Sequence, residues 1–168
     1  MARPRSKKKA AKKTPAKKPA AKKARRLGFT SKGANRPQVD VRGMIAMARR
    51  ARDFAFAPFS RFKVGAAIRT RDGRIFTGCN VENASFGLTL CAERTAIFKA
   101  ISEGTREFSQ VVIVTDANKL TPPCGACRQV LWEFAPDAEV ILANVRGRTR
   151  RMKMSALLPS PFDSRDLE

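Results

Sequence analysis

The chain has no tyrosine, no acidic residue in its first 26 positions, only four cysteines among 168 residues, and no long apolar run. Without tyrosine, no phenolic hydroxyl is available to any site. The absence of a long apolar run and of a signal-peptide pattern argues against membrane partners and secretion, and predicts a soluble, cytoplasmic protein in a reducing compartment. In such a compartment paired cysteines hold metal more often than they form disulfides, which moves zinc up among the readings to be weighed.

A hydrophobic content of 43% in 168 residues predicts one globular domain with one core. The net charge of +21 is unevenly spread. Residues 1–26 hold nine Lys and four Arg, giving +13, while the other 142 residues hold 22 basic and 14 acidic side chains, giving +8. The tail, MARPRSKKKAAKKTPAKKPAAKKARR, has no apolar face to offset the entropy of ordering it, and reads as disordered. Its composition resembles the tails of linker histones and histone-like bacterial proteins. That predicts nucleic-acid binding without sequence preference, compatible with nucleoid or nuclear association. A mitochondrial transit peptide fits less well, because an amphipathic stripe is missing. Gly, Ser, Asn and Pro from Leu27 to Val39 mark a linker, and a domain of residues 40–168 follows.

Within that domain the periodicity changes in a regular order. Asp40 is placed to cap a helix carrying Val41, Met44, Ile45, Met47, Ala48 and Ala51 at helical spacing, ended by Pro58. Phe62, Val64, Ala66 and Ile68 then alternate on one face of a strand, Asp72-Gly73 marks a hairpin, and Ile75 to Val81 returns antiparallel. A second helix is expected from Cys91 to Glu103, stopped at Gly104. The run Val111 to Val114 predicts a strand covered on both faces. A third helix from Cys124 ends before Pro136, followed by a strand over Glu139 to Ala143 and an antiparallel one near Arg148 to Met154. The sum is an α/β fold: a mixed five-stranded sheet with helices on both sides.

The segment TPPCGACRQV, residues 121–130, admits three readings: a redox pair, half of a structural zinc site, or part of a metal reaction centre. Cys124 and Cys127 at a helix start present two sulfurs on one side of its first turn, and Cys91 opens the other helix that follows a strand and loop. Both helix N-termini would stabilise thiolates. Three ligands leave a fourth position for water, and Glu93, two residues after Cys91, is placed to move its protons. Cys79 would instead close a structural four-cysteine site, but structural sites usually use two close-spaced pairs, and Cys79 lies in an alternating strand. A thioredoxin-like pair would leave Cys91-Ala92-Glu93 without a purpose.

Cys91-Ala92-Glu93-Arg94-Thr95-Ala96 followed by Pro123-Cys124-Gly125-Ala126-Cys127-Arg128-Gln129 resembles the small homotetrameric zinc-dependent cytidine deaminases. Phe62-Lys63-Val64-Gly65-Ala66-Ala67, Gly78 to Ala84, and Leu157-Leu158-Pro159 with Phe162 extend the resemblance across residues 40–167. It implies a three-layer α/β/α cytidine deaminase-like fold and hydrolysis of cytidine or deoxycytidine in pyrimidine salvage, by zinc-activated hydroxide attacking C4 with Glu93 as proton shuttle. It also implies that Asn80 and Glu82 clamp the ribose, that Ala92 and Phe62 border the pyrimidine, and that Phe162 stacks over it from a neighbouring subunit. Arg94 resembles the family arginine that donates to the zinc thiolates. Phe86 stands where many relatives carry Tyr, and Pro122 where Ser or Thr is usual. Two other activities share the motifs: a nucleic-acid cytosine deaminase recruited by the basic tail, and a blasticidin S-type antibiotic deaminase. The Asn80/Glu82 pair and the Phe162 ending favour a free nucleoside.

Overall fold

Asp40 accepts a hydrogen bond from the Gly43 N–H at 2.8 Å and so caps helix α1, Val41–Asp53, as its position in the sequence predicts. The computed structural model describes residues 39–167, so the expected basic tail (1–26) and the linker up to residue 38 lie outside the described residues. The remaining elements are β1 (Val64–Thr70), β2 (Ile75–Cys79), α2 (Ala92–Ser102), β3 (Phe108–Thr115), α3 (Gly125–Phe134), β4 (Glu139–Asn144), β5 (Thr149–Lys153) and a short α4 (Met154–Leu157). One-turn 3₁₀ segments lie at Phe86–Leu88 and Ser164–Leu167.

The five strands form one mixed sheet in the order β2-β1-β3-β4-β5. The pair β3·β4 is parallel; β1·β2, β1·β3 and β4·β5 are antiparallel. The side-chain period of two splits the sheet residues cleanly. Ala66, Ile68, Val111, Ile113, Val140 and Leu142 face the core under α2 and α3, while Ala67, Val112, Val114, Ile141 and Ala143 face Met44 and Ala48 of α1. A helix layer therefore covers each face, as the apolar run in β3 requires.

Two glycines let the helices approach. A Cβ on Gly65 would collide with the Ala48 carbonyl of α1, and one on Gly78 would lie 2.6 Å from the Ala92 carbonyl and the Ala96 nitrogen of α2. The second contact matters for function, because it presses the first turn of α2 onto β2.

Three expectations need correction. Phe62 precedes β1 rather than belonging to it, because the Asn80 side chain takes up the Phe62 carbonyl and the Val64 N–H in place of a neighbouring strand. β2 stops at Cys79, and Val81 makes only isolated bridges to Phe56 and Leu90. The last strand, expected to reach Met154, ends at Lys153, and Met154 opens the short helix α4.

Candidate active site and metal centre

Sheet register explains why the cysteines converge. Cys79 at the end of β2 pairs with Gly65, and Val64 pairs with Thr115 at the end of β3. The connections into α2 and α3 therefore leave the sheet at the same end. Cys91 is the N-cap of α2 and Cys124 the N-cap of α3, and neither sulfur caps its own helix by a hydrogen bond. Cys127, one turn into α3, is fully buried. The three Sγ atoms lie within 4.8 Å of one another.

This geometry fits zinc. The Cys91 and Cys124 sulfurs are 3.8 Å apart, and a tetrahedral ion with Zn–S near 2.3 Å sets its ligands roughly 3.8 Å apart. They are not disulfide-bonded. Electrostatics point the same way. A hydrogen bond from Cys127, aided by Arg94, holds the Cys91 thiol down at about 5 against the cost of burial. The same bond, burial and the charge on Glu93 push the Cys127 thiol upward. Three sulfurs this close cannot all ionise without a counter-charge, and a divalent cation supplies it. Cys79 stays outside the cluster, half-buried, its thiol raised by burial.

Glu93 sits on the first turn of α2 and is 4% exposed. Burial pushes its carboxyl up to about 7, opposed by its own backbone N–H and reinforced by charge on Cys91. Arg94, the next residue, donates to the Thr89 carbonyl at 2.7 Å and to the Cys91 sulfur at 3.7 Å. Ala92 is fully buried under the same turn.

The other sequence-predicted residues border this end through a ladder of backbone bonds. Val81 and Leu90 exchange N–H···O bonds of 2.9 and 3.0 Å, which ties Asn80 and Glu82 to the residue before Cys91. Asn80 is buried, donating to the Phe62 carbonyl and accepting from the Val64 N–H, each at 2.8 Å. Glu82 is bound by the opposite loop: its Oε2 accepts from Phe59 N–H at 2.8 Å and Ser60 N–H at 3.2 Å, and its Oε1 from the Ser60 hydroxyl. The Ser60 hydroxyl bond, then the two backbone bonds, hold the Glu82 carboxyl below its usual range. Phe162 lies in the last segment, exposed, its carbonyl accepting from Gln129 at 2.6 Å.

Two contributors escaped the sequence reading. Ser60 joins Glu82 to the Phe62 N–H, which its oxygen accepts at 3.0 Å. Arg128 clamps the metal loop by donating to the Pro123 carbonyl at 2.8 Å and the Leu157 carbonyl of α4 at 3.1 Å. Arg128 lies inside the quoted motif, but its second partner is visible only in the fold. Phe86, at the position where Tyr is common, is exposed and meets Phe59 edge to face with centroids 5.7 Å apart. An apolar ring contact thus occupies a place where a hydroxyl is missing.

A three-layer α/β/α frame that brings three cysteine sulfurs and a buried carboxyl to two helix starts defines a zinc hydrolase of the deaminase class. Residues 39–143 match the family model of the cytidine and deoxycytidylate deaminase zinc-binding region. A cytidine deaminase from Halalkalibacterium halodurans is 48% identical over 130 residues, covering 77% of this chain and 98% of its own length. The crystal structure of cytidine deaminase from Burkholderia pseudomallei aligns with a TM-score of 0.72 at 48% identity, covering 73% of this chain and 99% of that one. A blasticidin-S deaminase from Bacillus cereus is 32% identical over a shorter 111 residues, 61% of this chain and 79% of that protein. The chain belongs to the cytidine deaminase family.

Proposed function

We propose that this protein hydrolyses cytidine and deoxycytidine to uridine and deoxyuridine with release of ammonia, as a cytoplasmic enzyme of pyrimidine salvage. The buried Glu93 carboxyl, on the same helix start as Cys91 and beside three clustered sulfurs, carries this reading. When bound by Cys91, Cys124 and Cys127, zinc supplies the Lewis acidity that brings a water close to ionisation at neutral pH. Glu93 takes the water's first proton and delivers it to N3 of the cytosine ring, then passes the second to the departing amino group. A carboxyl lifted toward neutrality is both a usable base and a usable acid. Arg94 drains negative charge from Cys91, which keeps the sulfur set from over-neutralising the metal.

Asn80, after its two loop bonds, keeps one N–H and one carbonyl lone pair for a ribose hydroxyl. Glu82 stays ionised and has lone-pair capacity beyond the bonds it accepts from Phe59 and Ser60. A polar clamp of this kind selects a nucleoside over the free base. Phe62 forms one wall and Ala92 the floor. The active form is an oligomer, read here as a homotetramer in which Phe162 of a neighbour stacks over the pyrimidine. Exposed Phe54, Phe56, Phe86 and Phe162 supply apolar surface for such contacts. Among the described residues no helix is long and apolar enough to cross a membrane. The basic tail is assigned sequence-independent nucleic-acid binding, apart from the chemistry.

An absorbance assay of purified protein with cytidine, deoxycytidine, dCMP and a cytosine-containing oligonucleotide, each offered separately, tests the reading. Turnover of the two nucleosides is expected. Turnover of the oligonucleotide alone would replace it with a nucleic-acid deaminase.

A further inference from the structure

β5 is an edge strand of the sheet, and it is basic on both faces. From Arg146 to Lys153 the chain carries Arg146, Arg148, Arg150, Arg151 and Lys153 with no acid, and all five side chains are exposed. Among the described residues, only Arg151 of these has a carboxylate partner, Glu139 at 3.1 Å. On one side Arg148 and Arg150 join Lys119 around an open cavity of about 740 Å³ whose lining contains no acidic residue and includes Leu142, Met152 and Leu157. On the other side Arg151 shares a cavity of about 410 Å³ with Val41 and Arg42, the first residues of α1.

We propose that the β5 edge is a docking surface for the phosphodiester backbone of nucleic acid, engaged by Arg148, Arg150 and Lys119 and flanked by Arg146, without reading base sequence. Other occupants fit poorly. A second copy pairing edge to edge would set this arginine row against another, which is how edge strands avoid self-association. The tail of the chain itself is barred by its own positive charge. A polyanion suits the cluster, because Arg148, just before β5, and Arg150, within it, line the same cavity as Lys119 and so present three cations on one side. Arginine also favours phosphate: its planar fork donates two parallel hydrogen bonds to one phosphate group. None of these side chains belongs to the Cys91, Glu93, Cys124 and Cys127 cluster, so docking and deamination are separable.

The test uses the full-length, zinc-loaded protein and a fluorescent mixed-sequence oligonucleotide, with binding measured by anisotropy over a range of salt. Arg148→Gln/Arg150→Gln is compared with wild type and with Arg49→Gln/Arg50→Gln, which removes equal charge from exposed positions of α1. Each lost phosphate contact lowers the slope of log K against log salt by roughly 0.7–0.9. The β5 variant is expected to lose about 1.5 in slope, the α1 variant much less, and all three proteins to turn over cytidine at the same rate. Failure of the wild type to bind, an unchanged slope in the β5 variant, or an equal loss in the α1 variant overturns the proposal. Equal competition by poly-glutamate at matched charge also overturns it, in favour of an acidic polypeptide partner. Because cytidine turnover is read separately, a failure here leaves the deaminase assignment standing, and the reverse.

Discussion

Cys91, Glu93, Cys124 and Cys127 stand on the first turns of α2 and α3, whose bodies pack Ala96, Ile97, Ala100 and Leu131 into the larger core. Phe62, Glu82 and Phe162 instead sit on connecting segments at the surface, held by hydrogen bonds rather than by burial. The metal wall is therefore complete within one chain and fixed by the same apolar packing that stabilises the fold. The proposed nucleoside wall differs: its acceptor Glu82 is held by the Phe59–Ser60 loop, and its aromatic side chains Phe62 and Phe162 are exposed. Electrostatic preorganisation demands rigid placement near the reacting atoms, whereas recognition of a ligand that must enter and leave tolerates looser supports.

Substitutions in the metal wall should remove activity, and those in the nucleoside wall should weaken binding; equal behaviour would break the contrast. The largest effect is expected from Cys127→Ala, which deletes the fully buried ligand. Zinc content measured by atomic emission should fall well below one per chain, and deamination should vanish. Glu93→Gln comes next. It keeps the shape and the metal but cannot carry a proton, so the rate should fall by roughly 10²–10⁴ while zinc remains bound. A fully active Gln variant would remove Glu93 from the mechanism.

Phe162→Ala probes the other wall. If a neighbour's ring stacks on the pyrimidine, its loss costs about 0.5–1.5 kcal/mol, which is a rise in KM of about twofold to tenfold, with zinc content unchanged. Sedimentation of the wild type checks the premise, since a fully active monomer would leave Phe162 without a role in catalysis.

The same contrast explains what was legible in the sequence. Cys91, Glu93, Cys124 and Cys127 lie within two short motifs at helix starts, and local spacing on a helix determines which side chains share a turn. Asp40, the Asp72-Gly73 turn with Gly73 at φ +87°, and the Gly104 stop at φ +84° are local signals too, and each stands where it was expected. The misses are non-local. Phe62 continued the alternation of β1, but the Ser60 hydroxyl and the amide of Asn80, 18 residues later, take up its backbone N–H and carbonyl outside the strand. β3 begins at Phe108, earlier than its apolar run, because Gln110 bonds Glu139 of β4 and so makes a polar position compatible with the sheet. Four-residue α4 was hidden because it borrows its order from β5 and Arg128 rather than from a helical period of its own.

Ser60 offers the smallest and sharpest separation of the two walls. Its hydroxyl donates to Glu82 Oε1, 22 residues later in the chain, and accepts from the Phe62 N–H, so one oxygen couples the proposed ribose acceptor to the proposed aromatic wall. The loop it orders also contains Arg61, a non-glycine residue at φ +55°, a conformation that persists only where neighbouring contacts hold it. Ser60→Ala removes the bridge while the Phe59 and Ser60 backbone N–H groups still bind Glu82 Oε2. Glu82 should then rotate more freely and Phe62 should lose one tether, raising KM for cytidine a few-fold. No atom of Ser60 touches the cysteines or Glu93 by hydrogen bond, so kcat and zinc content should stay at the wild-type level. Ser60→Thr, which keeps the hydroxyl, should restore KM; a role limited to fold stability would instead lower the melting temperature of the Ala variant without this rescue. A fall in kcat as large as the rise in KM would mean that the two walls are mechanically joined, and the division between a rigid chemical wall and a loosely held recognition wall would not survive it.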